Sequence, residues 1–175
     1  FEINKAWEVY TEMARRWPFT QGALQSYQTL HTRGGDSIHF EQGGGACITQ
    51  DDVRSILRCA RENRIEIIPE IQSPGHAYWL CLAHPEVAEW QEAKYPDTMC
   101  PSNPKTYELL FDVMDELIDL FEPTWVHTGN DEYYYYGICP RCRNRKGGDI
   151  LAGHINKVNQ FLRARGVKHM LWADK

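Results

Sequence analysis

Trp125-Val126-His127-Thr128-Gly129-Asn130-Asp131-Glu132 opens as a short apolar run and closes through a glycine on two acids. An apolar run of this length bounded by a turn signal reads as a buried strand. What flanks it decides the fold. Upstream lies an apolar periodicity of 3.6: Leu109, Leu110, Val113, Met114, Leu117, Ile118 and Phe121 form one stripe, behind Asn103 as cap and Pro104 at the first helical position. Downstream, Ile150, Leu151, Ile155, Val158 and Leu162 predict a helix from about Asp149 to Arg165, ended by Gly166. Val167 to Ala173 then reads as another strand. Further back, Thr49 with Asp52 approximates a capping box before Val53, Ile56, Leu57 and Ala60. Cys59 shares that helix and is expected to be a small buried hydrophobe. Ile65-Glu66-Ile67-Ile68-Pro69-Glu70-Ile71 predicts the first strand of the series, ended by the turn Ser73-Pro74-Gly75.

Alternating helices and strands point to an α/β fold with a parallel sheet and crossover helices. Two architectures fit, an open doubly wound sheet and a TIM-type (β/α)8 barrel. A whole barrel takes about 200 residues or more, and this chain has 175. With three clear strands and ends that look cut, it is expected to be the middle part of a barrel, within one domain spanning 1–175. Before Thr49 only a helix from about Ile3 to Arg16, a short strand around Ser37 to Phe40 and a glycine-rich turn at Gly43 to Gly45 are predicted. The long connections follow the C-terminal ends of the strands, and the returns from helix to strand are two or three residues. Long loops in a compact domain are usually functional, and barrels carry their chemistry on that face.

Composition narrows the partners. The chain is 42% hydrophobic and 25% charged, with a net charge of −5. Phosphate binding needs clustered Lys and Arg, so nucleic acid is not expected; Arg141 to Lys146 reads as a solvated loop. No stretch has the apolar length of a membrane span. The six cysteines are spread out, and only Cys139-Pro140-Arg141-Cys142 has the spacing of a metal or redox element. Zinc needs about four ligands; Cys100, Cys81 or His154 could complete the set. Free or loop-stapling thiols are the competing reading, and no other cofactor is indicated.

An Asp-Glu dipeptide occurs twice, at Asp115-Glu116 and Asp131-Glu132. The first pair falls on what should be an exposed helix face. The second follows a buried strand on the catalytic face. Neighbouring carboxyls resist joint ionisation, so one can stay protonated as an acid. Adjacent strand residues point to opposite faces, so both reach one site only if the strand has broken at Gly129. A helix cap or an ion pair is the plainer role for them. At the end of the first strand, Glu70 and His76 stand around the Pro-Gly turn; such a His either contacts substrate or ties down its own loop. Trp79, Trp90, Trp172 and Tyr133 to Tyr136 crowd the same loops, and aromatic faces stack on sugar rings.

Taken in order, Ile67-Ile68-Pro69-Glu70-Ile71-Gln72-Ser73-Pro74-Gly75-His76, then Cys100-Pro101-Ser102-Asn103-Pro104, then His127-x-Gly129-x-Asp131-Glu132, then Trp172-x-Asp174 resembles glycoside hydrolase family 20, the β-N-acetylhexosaminidases. The likeness runs from about Thr49 to Lys175. It implies a barrel enzyme that removes terminal N-acetyl-hexosamine from a glycan by a retaining mechanism in which the sugar's own acetamido oxygen is the nucleophile. It implies Glu132 as acid and base, and Asp131 as the carboxylate holding the acetamido N–H. His76, His127, Glu70, Trp172 and Asp174 become substrate-binding candidates, with the rest of the barrel outside this segment. Asn130 and Gln72 depart from the family's Gly and Asp, which leaves open a hydrolase retuned to another sugar. A non-catalytic carbohydrate-binding relative is the reading from a different class.

Overall fold

The computed structural model describes residues 48–81, 83–93, 96–133 and 135–173. The expectations for the segment before Thr49, and for Asp174, lie outside them. Four helices and three strands follow in order: α1 (Gln50–Glu62), β1 (Glu70–Ser73), α2 (Tyr78–Cys81, one turn), α3 (Pro104–Phe121), β2 (Trp125–Gly129), α4 (Gly147–Ala164) and β3 (Lys168–Met170). A 3₁₀ turn, Pro85–Val87, lies between α2 and α3. The strands form one parallel sheet in the order β1-β2-β3. Parallel neighbours require crossovers, and α3 and α4 supply them.

Local chemistry sets the helix ends. At α1 the Thr49 side chain accepts from the Asp52 N–H at 3.1 Å, and the Asp52 carboxylate accepts from the Thr49 N–H at 2.8 Å. This is the expected capping box. The Asn103 carboxamide oxygen caps α3 by accepting from the Lys105 N–H, with Pro104 at the first position. From the α3 stripe, Leu110, Met114, Leu117 and Ile118 are buried, while Leu109, Val113 and Phe121 pack at its margin. Their partners are Val126 from β2, Val158 and Leu162 from α4, and Val87, Ala88 and Met99 from the first long loop. Phe111 stacks on Phe161 at 4.1 Å, locking α3 to α4. Removing a fully buried leucine such as Leu110 would cost about 2–5 kcal/mol.

Three expectations need correcting. The first strand begins at Glu70, not Ile65: a strand forms where a neighbour pairs, and the ladder to β2 starts with the His127 N–H donating to the Pro69 carbonyl at 2.9 Å. Ile65 and Ile68 stay exposed. The return from α1 is correspondingly long, residues 63–69, whereas the other two returns are short. On α1, Val53, Leu57 and Ala60 are buried, but Ile56 and Cys59 are exposed, so the apolar face is narrower than the sequence suggests. β3 ends at Met170 rather than Ala173, although the Trp172 N–H still reaches the Gly129 carbonyl at 2.9 Å. No helix among the described residues is long and apolar enough to cross a membrane.

Candidate active site

The site assembles where β1 and β2 end side by side, with Ser73 in register with Gly129. β2 breaks there. Gly129, Asn130 and Glu132 have φ of +69°, +68° and +47°, and across the gap His76 has +48°. Left-handed backbone is unfavourable for residues with a Cβ, and such outliers gather at functional sites. The break lets two consecutive acids serve one place. His76 Nε2 lies 3.5 Å from Asp131 Oδ2 and 3.4 Å from Glu132 Oε2. The imidazole is almost fully buried, and the two carboxylates keep about a quarter of their surface, 24% and 26%. A Cβ at 129 would stand 1.8 Å from Gln72 Oε1, so any side chain there would displace Gln72. A Cβ on Gly75 would meet the Asp131 carbonyl at 3.2 Å, so the two turns lie against each other.

A hydrogen-bonded floor holds this turn. Thr128 Oγ1 is 2.6 Å from both Asn130 Nδ2 and His169 Nε2. The Asn130 N–H donates to the Ser73 carbonyl at 3.1 Å. Ser73 Oγ meets His154 Nε2 at 3.1 Å, and His154 Nδ1 faces the Tyr107 hydroxyl at 3.3 Å. Burial pushes the His154 pKa down to about 3, and burial first, then His127, lowers that of His169. Both rings are therefore neutral near pH 7 and act as polar struts. Three acceptor oxygens at the site, Asp131 Oδ1, Asn130 Oδ1 and Gln72 Oε1, are buried without a hydrogen-bond partner among the described residues. Such atoms cost free energy unless something donates to them, so Asp131 is held ready for an incoming N–H or O–H.

The other candidates divide. His127 Nδ1 stands 3.2 Å from Glu70 Oε1 and 3.2 Å from the Gly129 backbone nitrogen; one nitrogen cannot donate to the first and accept from the second at once. Trp172 meets the His127 ring edge-on at 4.8 Å and leaves 55% of its surface open, as a wall would. Glu70 also accepts from Gln72 Nε2 at 2.7 Å. Of the other aromatics, Trp79 packs on the main core, whereas Trp90 and Tyr136 are exposed. A groove of about 390 Å³ between α1 and α3, lined by Arg54, Arg58, Arg61 and Asp119 among others, contains none of these residues.

Cys139 and Cys142 turn out to be buried with Cys100, and the buried acid Glu89 stands beside them. Sequence reasoning did not single out Glu89. Its only signal was an acid directly after Val87-Ala88, where a loop turns inward. Cys81 packs in the main core and His154 is committed to Ser73 and Tyr107, so neither expected alternative joins the cysteines.

Residues 14–175 match the catalytic domain of glycosyl hydrolase family 20, a match that starts well before Thr49. A lacto-N-biosidase of Bifidobacterium bifidum is 29% identical over 72% of the chain, and β-hexosaminidase subunit A2 of Dictyostelium discoideum is 37% identical over 51%. The chain spans only 13% and 17% of the lengths of those relatives. Among solved structures, Flavobacterium johnsoniae chitobiase superimposes with a TM-score of 0.66 at 30% identity, covering 74% of this chain and 22% of that one. A β-N-acetylhexosaminidase from Bacteroides fragilis gives 0.65 at 26% identity, with 71% and 27% covered. The acids, the histidine and the parallel strands that carry them lie within a match over most of the sequence: the chain belongs to glycosyl hydrolase family 20.

Proposed function

We propose that this chain carries the acid and acetamido-binding centre of a β-N-acetylhexosaminidase, on three consecutive strands from the middle of a (β/α)8 barrel. The observation that carries the reading is the convergence of Asp131 and Glu132 on His76, beside an Asp131 oxygen that is buried and still able to accept. Two neighbouring residues on one turn cannot flank a sugar from opposite sides, as a nucleophile and an acid would. They can act together on one side. Glu132 protonates the glycosidic oxygen as the bond to the anomeric carbon breaks. The substrate's acetamido oxygen closes on that carbon to form an oxazolinium ion. Asp131 accepts the acetamido N–H and balances the positive charge. Glu132 then takes a proton from water, which opens the ring with overall retention. His76 holds both carboxylates in place, and Trp172 borders the acetamido pocket. Substrate is a glycan or glycoconjugate ending in N-acetyl-hexosamine.

A thiazoline that mimics the cyclic intermediate tests this in the full-length protein. It should inhibit strongly, because it resembles the species the site stabilises, and Asp131→Asn should weaken that inhibition. The 2-hydroxy analogue of the substrate should be nearly inert. Rapid hydrolysis of a plain glucoside, indifferent to the thiazoline, would overturn the acetamido mechanism.

A further inference from the structure

Apart from the catalytic turn, one cluster of metal-ligating side chains stands out among the described residues. Glu89, Cys100, Cys139 and Cys142 are all buried, and one ligand atom from each lies within 4.8 Å of every other. Cys100 Sγ is 3.4 Å from Cys139 Sγ and 3.6 Å from Cys142 Sγ. Zinc–sulfur bonds of about 2.3 Å in a tetrahedron place sulfurs about 3.7 Å apart, whereas a disulfide needs about 2.05 Å. The spacing fits the metal and not the bond.

Glu89 supplies an independent observation. Its Oε1 accepts from the backbone N–H groups of Ile138 and Cys139, at 2.8 and 3.2 Å. Its Oε2 is buried with no hydrogen-bond partner among the described residues, the carboxylate facing the thiols of Cys100 and Cys142, and the residue is 1% exposed. A carboxylate sunk among three sulfurs with an open oxygen is costly without a cation to face. The backbone presents all four groups. Glu89 and Cys100 flank a short antiparallel pairing, with the Glu89 N–H bonded to the Thr98 carbonyl at 2.8 Å and the Cys100 N–H to the Val87 carbonyl at 2.7 Å. Cys139 and Cys142 lie on one tight turn, with the Cys142 N–H donating to the Cys139 carbonyl at 3.1 Å.

We propose that Glu89, Cys100, Cys139 and Cys142 form a structural zinc site of three thiolates and one carboxylate. Binding releases the three thiol protons and involves no redox change. The Ser102 hydroxyl, 3.2 Å from Cys142 Sγ, can donate to the thiolate, and Arg145 Nη1 at 2.6 Å from Ser102 Oγ places a positive charge behind it. Outer-shell groups of this kind orient ligands and tune affinity. The ion would staple the loop of residues 74–103, which carries His76, to the loop of residues 130–146, which begins with the catalytic pair. Tyr133, next to Glu132, is buried in the same cluster.

The test is zinc content by mass spectrometry of the full-length protein, purified without chelators, and it does not depend on the glycosidase reading. About one zinc per chain is expected. Protein produced with Co(II) in place of zinc should show thiolate-to-cobalt charge transfer and strong visible bands of a tetrahedral ion. Cys100→Ser and Glu89→Gln should each weaken metal binding by at least about 10-fold. Wild-type protein without stoichiometric metal would overturn the proposal, whether its thiols titrate freely or mass mapping finds a disulfide between any two of the three cysteines. If a variant fails to fold, the wild-type metal count and cobalt spectrum decide alone.

Discussion

The same two letters, Asp then Glu, occur on α3 and after β2, and the chain sets them in opposite surroundings. On α3, Asp115 pairs with Arg165 Nη1, and Asp119, one turn on, reaches Arg165 Nη2 at 2.6 Å. One guanidinium clamps two carboxylates spaced four apart, and both are substantially exposed. After β2, a run of positive φ swings Asp131 and Glu132 onto the same buried histidine. The difference lies in the backbone, because a helix fans neighbours around its axis while a broken strand gathers them. What the two acids meet follows the turn rather than the dipeptide.

The sharpest way to break the comparison is to remove one acid from the site. Glu132→Gln in the full-length enzyme should lower turnover by about 10²-fold or more on substrates with poor leaving groups. Activated aryl leaving groups need less protonation and should lose less. Steady-state rates on both substrate types check this; equal, mild losses would take Glu132 out of the acid role.

Much of this was legible in the sequence because the signals were local. The Thr49–Asp52 box, the Asn103-Pro104 start and the α3 stripe depend on neighbours a few residues apart, and the structure keeps them. What failed depended on partners far along the chain. The apolar run from Ile65 could not reveal that pairing with β2 begins only at Pro69. Cys59 sat at helical spacing, yet the face of α1 that is covered stops short of it. Glu89 was invisible because its meaning comes from Cys139, fifty positions later, whose N–H it holds. At the site, Gly129 raised the right question. Only the left-handed φ of Asn130, Glu132 and His76 answered how both acids and the histidine meet.

Backbone geometry itself can be attacked next. Gly129→Ala puts a methyl where Gln72 Oε1 now lies and forces a Cβ onto a φ of +69°. Left-handed strain costs about 1–2 kcal/mol, and displacing Gln72 adds to it. Thermal or denaturant unfolding should show a loss of roughly 1–3 kcal/mol, with a fall in turnover larger than the stability loss explains. Wild-type activity in a merely less stable protein would mean that the turn tolerates repacking and does not position the acids.

The smallest effect belongs to the other dipeptide, and it serves as the control. Asp115→Asn removes one of two carboxylates from Arg165 but leaves Asp119 in place. The guanidinium is about one-third exposed and the carboxylates more so, and solvent screens pairs of this kind. Such surface pairs contribute about 0–1 kcal/mol, so denaturant midpoints should shift slightly at low salt and less at high salt. Turnover should not change, because α3 lies outside the sheet and Asp115 pairs with Arg165 rather than with the turn of Asp131 and Glu132. A marked loss of activity from Asp115→Asn, without loss of stability, would show that the two acid pairs are coupled through α4, whose last turn leads through Arg165 into β3 and Trp172.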